Sequence, residues 1–148
     1  MTPPPYSAFP ILTKVTPYWS EVDALGHINN ARYFTWFEEA RMALLAEIGA
    51  PMSGTPSVGP ILAQTSCIFH APVYWPSSLE IGARVTRIGR SSVTMEYVAF
   101  LHPTPPTPSA EPICVATGSG VVVMVDYNTG KSTEIPKEWR AALERLSQ

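Results

Sequence analysis

The chain has 148 residues, 45% hydrophobic and 15% charged, with a formal net charge of −2. That length predicts one domain, residues 1–148, with enough apolar material for a core. Near-neutral charge argues against a phosphate-tracking nucleic-acid binder, which needs a basic face.

The opening "MTPPPYSAFP" has neither the basic segment nor the apolar run of a signal peptide. No apolar stretch approaches the roughly 18 residues of a membrane span. A soluble, cytoplasmic protein is expected. Cys67 and Cys114 sit far apart in apolar stretches with no C-x-x-C pair, so both read as reduced, buried thiols. The 16 prolines cluster in "TPPP", in "APMSGTPSVGP" (50–60) and in "HPTPPTPSAEP" (102–112). Proline removes a ladder donor and sets φ, so these clusters mark connections.

In chain order, "ILTKVTPYW" (11–19) is rich in β-formers and reads as a strand, with Pro17 marking an edge or irregular end. Residues 30–48 predict a helix. Tyr33, Phe37, Ala40, Leu44 and Ile48 recur at steps of three and four. Asn29 or Asn30 suits its cap, and Gly49 and Pro51 its end. Next come strands in "PILAQTSCIFHAPV" (60–73), "LEIGARVTRI" (79–88) and "SSVTMEYVAFL" (91–101). The second and third alternate cleanly: Leu79, Ile81, Ala83 and Val85 share one face, as do Val93, Met95, Tyr97 and Ala99. "PICVATGSGVVVMVD" (112–126) is a long strand whose Gly118 and Gly120 allow it to bend. "IPKEWRAALERL" closes the chain as a helix with Trp139, Leu143 and Leu146 on one stripe. Short connections between the later strands imply antiparallel pairing. The fold class is α+β, one antiparallel sheet wrapped around a long helix.

Several chemistries are argued against. "TGSGV" has the wrong spacing for a nucleophile elbow, and no helix follows it to make a phosphate loop. His27, His70 and His102 lack metal-ligand spacing, so no metal is expected. His70 and His102 fall at strand ends and read as satisfied or solvent-facing polar residues.

The stretch "DALGHINN" (23–30) puts polar groups ahead of the helix. Gly26 permits a backbone conformation closed to other residues, and so a sharp turn. The first helical N–H groups have no intrahelical partners and carry the positive end of the helix dipole. On spacing alone two readings stand. Asp23 and an asparagine cap the helix. Alternatively, those N–H groups hold a carbonyl oxygen as it becomes an oxyanion, while Asp23 attacks or deprotonates water.

"WSEVDALGHINNARYFTWFEEAR" (19–41) resembles the signature of the 4-hydroxybenzoyl-CoA thioesterase family of hotdog-fold acyl-CoA thioesterases. The positions that match are Asp23, Gly26, His27, Ile28, Asn29, Asn30, Tyr33, Phe37 and Glu38. "RVTRIGRSS" (84–92) and "TGK…IPKEWRAALE" near the end are similar to the family as well. The resemblance implies a hotdog fold and thioester hydrolysis. Asp23 matches the catalytic carboxylate, as nucleophile or general base. Asn30 matches the position whose backbone N–H polarises the thioester carbonyl, and Gly26 the turn. His27 and Asn29 match motif positions of positional role. Tyr33 belongs with the acyl pocket or the subunit interface, Phe37 with the acyl pocket, and Glu38 is a reserve catalyst, its bland alternative being an ion pair with Arg41. Arg87 and Arg90 are the basic candidates for the coenzyme A phosphates. Two departures stand out: Glu21 where an Asp is common, and Tyr18 where relatives carry a basic residue.

An open sheet edge is normally covered, and the resemblance implies a homodimer or homotetramer. No cofactor is expected, coenzyme A being part of the acyl-CoA substrate. The expected function is acyl-CoA thioesterase. The alternatives are a hotdog dehydratase or hydratase, with His27 and Asp23 imitating its acid and base, and a non-catalytic acyl-CoA-binding protein.

Overall fold

The computed structural model describes residues 3–54, 56–103 and 111–147. Strand β1 (Ile11–Val15) is followed by helix α1 (Ala31–Glu47), strands β2 (Val58–Phe69), β3 (Leu79–Ile88), β4 (Ser92–Leu101) and β5 (Ile113–Asp126), a two-residue strand β6 (Lys131–Ser132) and helix α2 (Lys137–Leu146). The sheet runs β1-β3-β4-β5-β2, antiparallel throughout, with β6 paired to β5. Helix α1 lies against β1, β2, β3 and β4.

Alternation decides which side chains meet α1. Leu79, Ile81, Ala83 and Val85 of β3 and Val93, Met95, Tyr97 and Ala99 of β4 are buried with Tyr33, Phe37, Ala40 and Leu44 of the helix. The outer face carries a second cluster, in which Phe9 packs on Val98 and Phe100. Leu143 of α2 is fully buried, with Trp139 and Leu146 packed beside it, as its stripe requires.

Two strand ends differ from the sequence reading, and one short strand was not expected. The first strand stops at Val15, and residues 19–21 form a single 3-10 turn. Pro17 lacks the N–H that would continue the ladder. The second strand ends at Phe69, because the N–H groups of His70 and Ala71 both turn to the Val115 carbonyl, at 2.9 and 3.2 Å. β6 was too short to leave a pattern. The proline-rich loop was expected at 102–112, and residues 104–110 of it lie outside the described residues.

Gly118 and Gly120 make room for aromatic rings. A Cβ on Gly118 would stand 2.3 Å from Phe37 Cε2, and one on Gly120 would stand 2.9 Å from the Tyr97 hydroxyl. Phe37 and Tyr97 stack on each other, 5.0 Å between centroids at 15°. The helix thus settles on the sheet where two glycines leave space.

The head of α1 is capped by Asn29, whose Oδ1 accepts the Ala31 N–H at 2.9 Å. Asn30, the other candidate, has helical φ and ψ and makes no side-chain cap.

Two stability outcomes follow. Gly118→Ala forces the Phe37 ring to move and is expected to cost about 1–3 kcal/mol in chemical denaturation, as overpacking does. Asn29→Ala removes the acceptor for Ala31 N–H and is expected to cost about 1 kcal/mol in the same measurement.

Candidate active site

The turn ahead of α1 is built by Asp23. Its N–H donates to the His27 carbonyl at 2.7 Å, and its carbonyl accepts from Gly26 N–H at 3.1 Å. Its Oδ1 accepts from the N–H groups of Leu25 and His27 at 2.8 and 3.2 Å. Such charge-assisted bonds hold a tight loop firmly. Gly26 has φ of 83°, the left-handed value that favours glycine. A bridge between Val22 and Ile28 closes the turn. The Asp23 carboxylate therefore organises the loop through Oδ1, while Oδ2 has no hydrogen-bond partner among the described residues.

Two bonds aim the helix head. Ile28 N–H donates to the Val73 carbonyl at 2.8 Å, and Asn29 N–H to the Glu21 carbonyl at 2.8 Å. Glu21, the departure from the motif, is used structurally: it accepts the Tyr18 N–H at 2.8 Å and stands 3.4 Å from Arg32.

From residue 25 to residue 33, each backbone N–H but one finds an acceptor among the described residues; the exception is Asn30. Asn30 lines a cavity of about 240 Å³ together with His27, Ile28, Tyr33, Phe69, His70 and Val73. A free helical N–H beside a cavity is a site for a carbonyl oxygen or an anion.

The cavity walls combine the rings of Tyr33 and Phe69 with apolar Ile28 and Val73 and the polar His27, Asn30 and His70. Tyr33 packs edge-on against Phe69 at 5.1 Å and lies 4.9 Å from Trp36. Burial, with Cys67 beside it, pushes the Tyr33 hydroxyl up to about 12, and burial pushes the Cys67 thiol to about 11. Both stay protonated at neutral pH. His27 stands edge-on to Tyr74, 5.0 Å between centroids.

The structure brings His27, Asn30 and Tyr33 to one cavity, with Asp23 and Gly26 on the turn that leads into it and Asn29 capping the helix beside it. Phe37 was expected at the acyl pocket. It is instead fully buried core, stacked on Tyr97 and seated over Gly118, and it does not line the cavity. Glu38 is exposed, and no ion pair with Arg41 forms among the described residues. Arg41 is buried with its guanidinium beside the Tyr97 hydroxyl.

Arg87 and Arg90 lie away from this mouth within one chain. The β3–β4 hairpin that carries them borders Val122 and Val123 of β5, while the mouth borders Val115 and Thr117. Six residues of strand separate Thr117 from Val123, roughly 20 Å. Arg90 also stands 3.4 Å from Glu134.

Sequence reasoning took His70 as a satisfied or solvent-facing strand-end residue and did not single out Thr117. His70 lines the cavity, and its Nε2 lies 2.8 Å from Thr117 Oγ1. The available signal was a histidine closing an apolar strand two residues before a proline. A larger cavity, about 500 Å³, sits against Lys14, Ser77, Glu80 and His102 and holds none of the expected residues.

Comparison with known proteins places this geometry in a family. The model of the thioesterase-like superfamily matches residues 17–143. The chain is 28% identical over 137 residues to YsmA of Bacillus subtilis, an uncharacterized protein, covering 93% of this chain and 87% of that one. The solved structure of the PA5185 protein from Pseudomonas aeruginosa superposes with a TM-score of 0.83 at 30% identity, covering 99% of this chain and 98% of that one. A Thermus thermophilus thioesterase, solved in complex with coenzyme A and Zn, superposes with a TM-score of 0.75 at 25% identity, covering 91% and 98%. The sheet curled about α1 is the hotdog fold that the motif implied, and the chain belongs to the thioesterase-like superfamily.

Proposed function

We propose that the protein is an acyl-CoA thioesterase, hydrolysing an acyl-CoA thioester to the free acid and coenzyme A. The observation that carries this reading is the Asn30 N–H, the one donor of the helix head without an acceptor among the described residues, at a cavity with an aromatic wall. A thioester carbonyl seated there meets a fixed donor and the positive end of α1. Such a donor is worth most where charge develops in the transition state, so it serves attack on the carbonyl rather than binding alone. Asp23 supplies the carboxylate, as base or nucleophile, through its uncommitted Oδ2. Gly26 and Asn29 set the turn and the cap, and His27 fixes the mouth against Tyr74. Tyr33 faces the acyl group. Coenzyme A enters as part of the substrate, and the scheme uses no metal and no cofactor. The complex of the Thermus relative with coenzyme A supports the ligand class.

A second copy completes the site in this reading. Strand β2 is a sheet edge of 12 residues on which Ile61, Leu62, Ile68 and Phe69 are exposed. Long apolar edges are covered in native proteins. Antiparallel pairing of two β2 edges about a two-fold axis sets the Val58 end of one chain beside the Phe69 end of the other. That brings the partner's hairpin, with Arg87 and Arg90, towards the mouth, where their charge suits the phosphates of coenzyme A. No helix among the described residues is long and apolar enough to cross a membrane.

Two measurements test this. Acyl-CoAs of aromatic, medium and long acyl groups are incubated with the protein and free thiol is followed. At least one is expected to be cleaved, and Asp23→Asn to lower turnover by about 100-fold or more, the range for losing an acid–base group. Equal rates in wild type and variant would remove Asp23 from the chemistry. Binding of acyl-CoA with no thiol release would favour the binding-protein alternative. Ile68→Glu is expected to convert a dimer to a monomer in sedimentation; a wild type that sediments as a monomer refutes the paired edge.

A further inference from the structure

We propose that His70 is the proton carrier of the hydrolysis, held in position by Thr117. The proposal rests on the thioester-hydrolase reading above and revises one role in it: the proton given there to Asp23 passes to His70, and Asp23 keeps the positioning of the water. Three observations bear on it. His70 lines the same cavity as the free Asn30 N–H. Its Nε2 is bonded to Thr117 Oγ1 at 2.8 Å, while Nδ1 has no partner among the described residues. Its backbone is anchored, because the Val115 carbonyl accepts the N–H of His70 at 2.9 Å and that of Ala71 at 3.2 Å. One ring nitrogen is thus tied down and the other is left for chemistry.

The pairing has a chemical consequence. The Thr117 hydroxyl can donate or accept, so it fits either tautomer of the ring. When Nε2–H donates to the Thr117 hydroxyl, Nδ1 presents a lone pair. Imidazole ionises closer to neutrality than any other side chain, which suits it to accept a proton and return it within one turnover. His70 is exposed, so water reaches it.

The step balances with water as the sole co-reactant. Nδ1 takes a proton from a water molecule as the water oxygen bonds the carbonyl carbon. The carbonyl π pair moves to its oxygen, where the Asn30 N–H holds it. On collapse the C=O bond re-forms, the C–S bond breaks, and the sulfur leaves with its electron pair. The imidazolium returns its proton to that sulfur. Acid and thiol result, and the imidazole is unchanged. Asp23, through Oδ2, then orients the water rather than carrying its proton.

Other titratable groups face the same cavity. His27 is the second imidazole, and Tyr33 is kept protonated by burial; Cys67, beside Tyr33 but not on the cavity wall, is kept protonated too. The test must therefore separate the two histidines.

Benzoyl-, hexanoyl- and palmitoyl-CoA serve as probes with thiol release as the readout. His70→Gln keeps a polar group near Thr117 and is expected to lower kcat by about 100-fold or more, with KM changed less than about threefold. The fall in wild-type kcat towards acid pH is expected to disappear in His70→Gln and to persist in His27→Gln. Added imidazole is expected to restore part of the rate of His70→Ala. Thr117→Val, which frees the ring to rotate, is expected to lose about tenfold in kcat with its thermal midpoint unchanged, and it stands in should the His70 variants fail to fold. A wild type inactive on all three probes overturns the hydrolase reading and this proposal together. An active wild type with kcat and pH profile unchanged in His70→Gln overturns this proposal alone.

Discussion

The 2.8 Å hydrogen bond from Ile28 N–H to the Val73 carbonyl ties the head of α1 to the segment that follows β2. A helix packed on a sheet by side chains alone is free to slide by a fraction of a turn. Here a backbone donor and acceptor set the axial position. Because β2 has already handed the His70 and Ala71 N–H groups to Val115, the segment 70–73 is itself pinned to β5. The helix head, the strand end and the cavity between them are therefore positioned as one unit.

The lateral position of α1 is set lower down, where Phe37 sits over Gly118 and stacks on Tyr97. This contact explains why Phe37 is spent on packing. A ring that must fill the space above a glycine cannot also offer its surface to an acyl chain. Packing at interior density leaves no room for both. Tyr33, one turn earlier, stands at the edge of that packing and reaches the cavity. The same helical stripe thus divides into a core half and a mouth half.

The polar crowd before the helix divides in a similar way. Asp23 Oδ1, Gly26 and Asn29 build and cap the turn, and this work uses most of the donors in the loop. Among the described residues, the helix head leaves the Asn30 N–H without an acceptor, and the turn leaves Asp23 Oδ2 without a donor. Unmatched polar groups in an otherwise satisfied loop are costly unless they meet water or a ligand. The capping reading thus holds for Asp23 Oδ1 and Asn29, and the proposed chemistry rests on the atoms they leave over.

Much of the architecture was legible in the residues alone. Period-two alternation in β3 and β4, the three-and-four spacing of α1 and the proline clusters are local physics, and local patterns report local structure. The motif likewise pointed to the helix head before its geometry was known. What only the tertiary structure decided were the meetings between distant segments. Val73 with Ile28, His70 with Thr117 and Asn30, and Phe37 with Gly118 are separated by tens of residues, and no periodicity encodes which strand end faces which helix end. The strand order β1-β3-β4-β5-β2, which leaves β2 at an edge, makes those choices. It turned His70 from a strand-end histidine into a wall of the cavity, and set Arg87 and Arg90 at the opposite end of their own sheet.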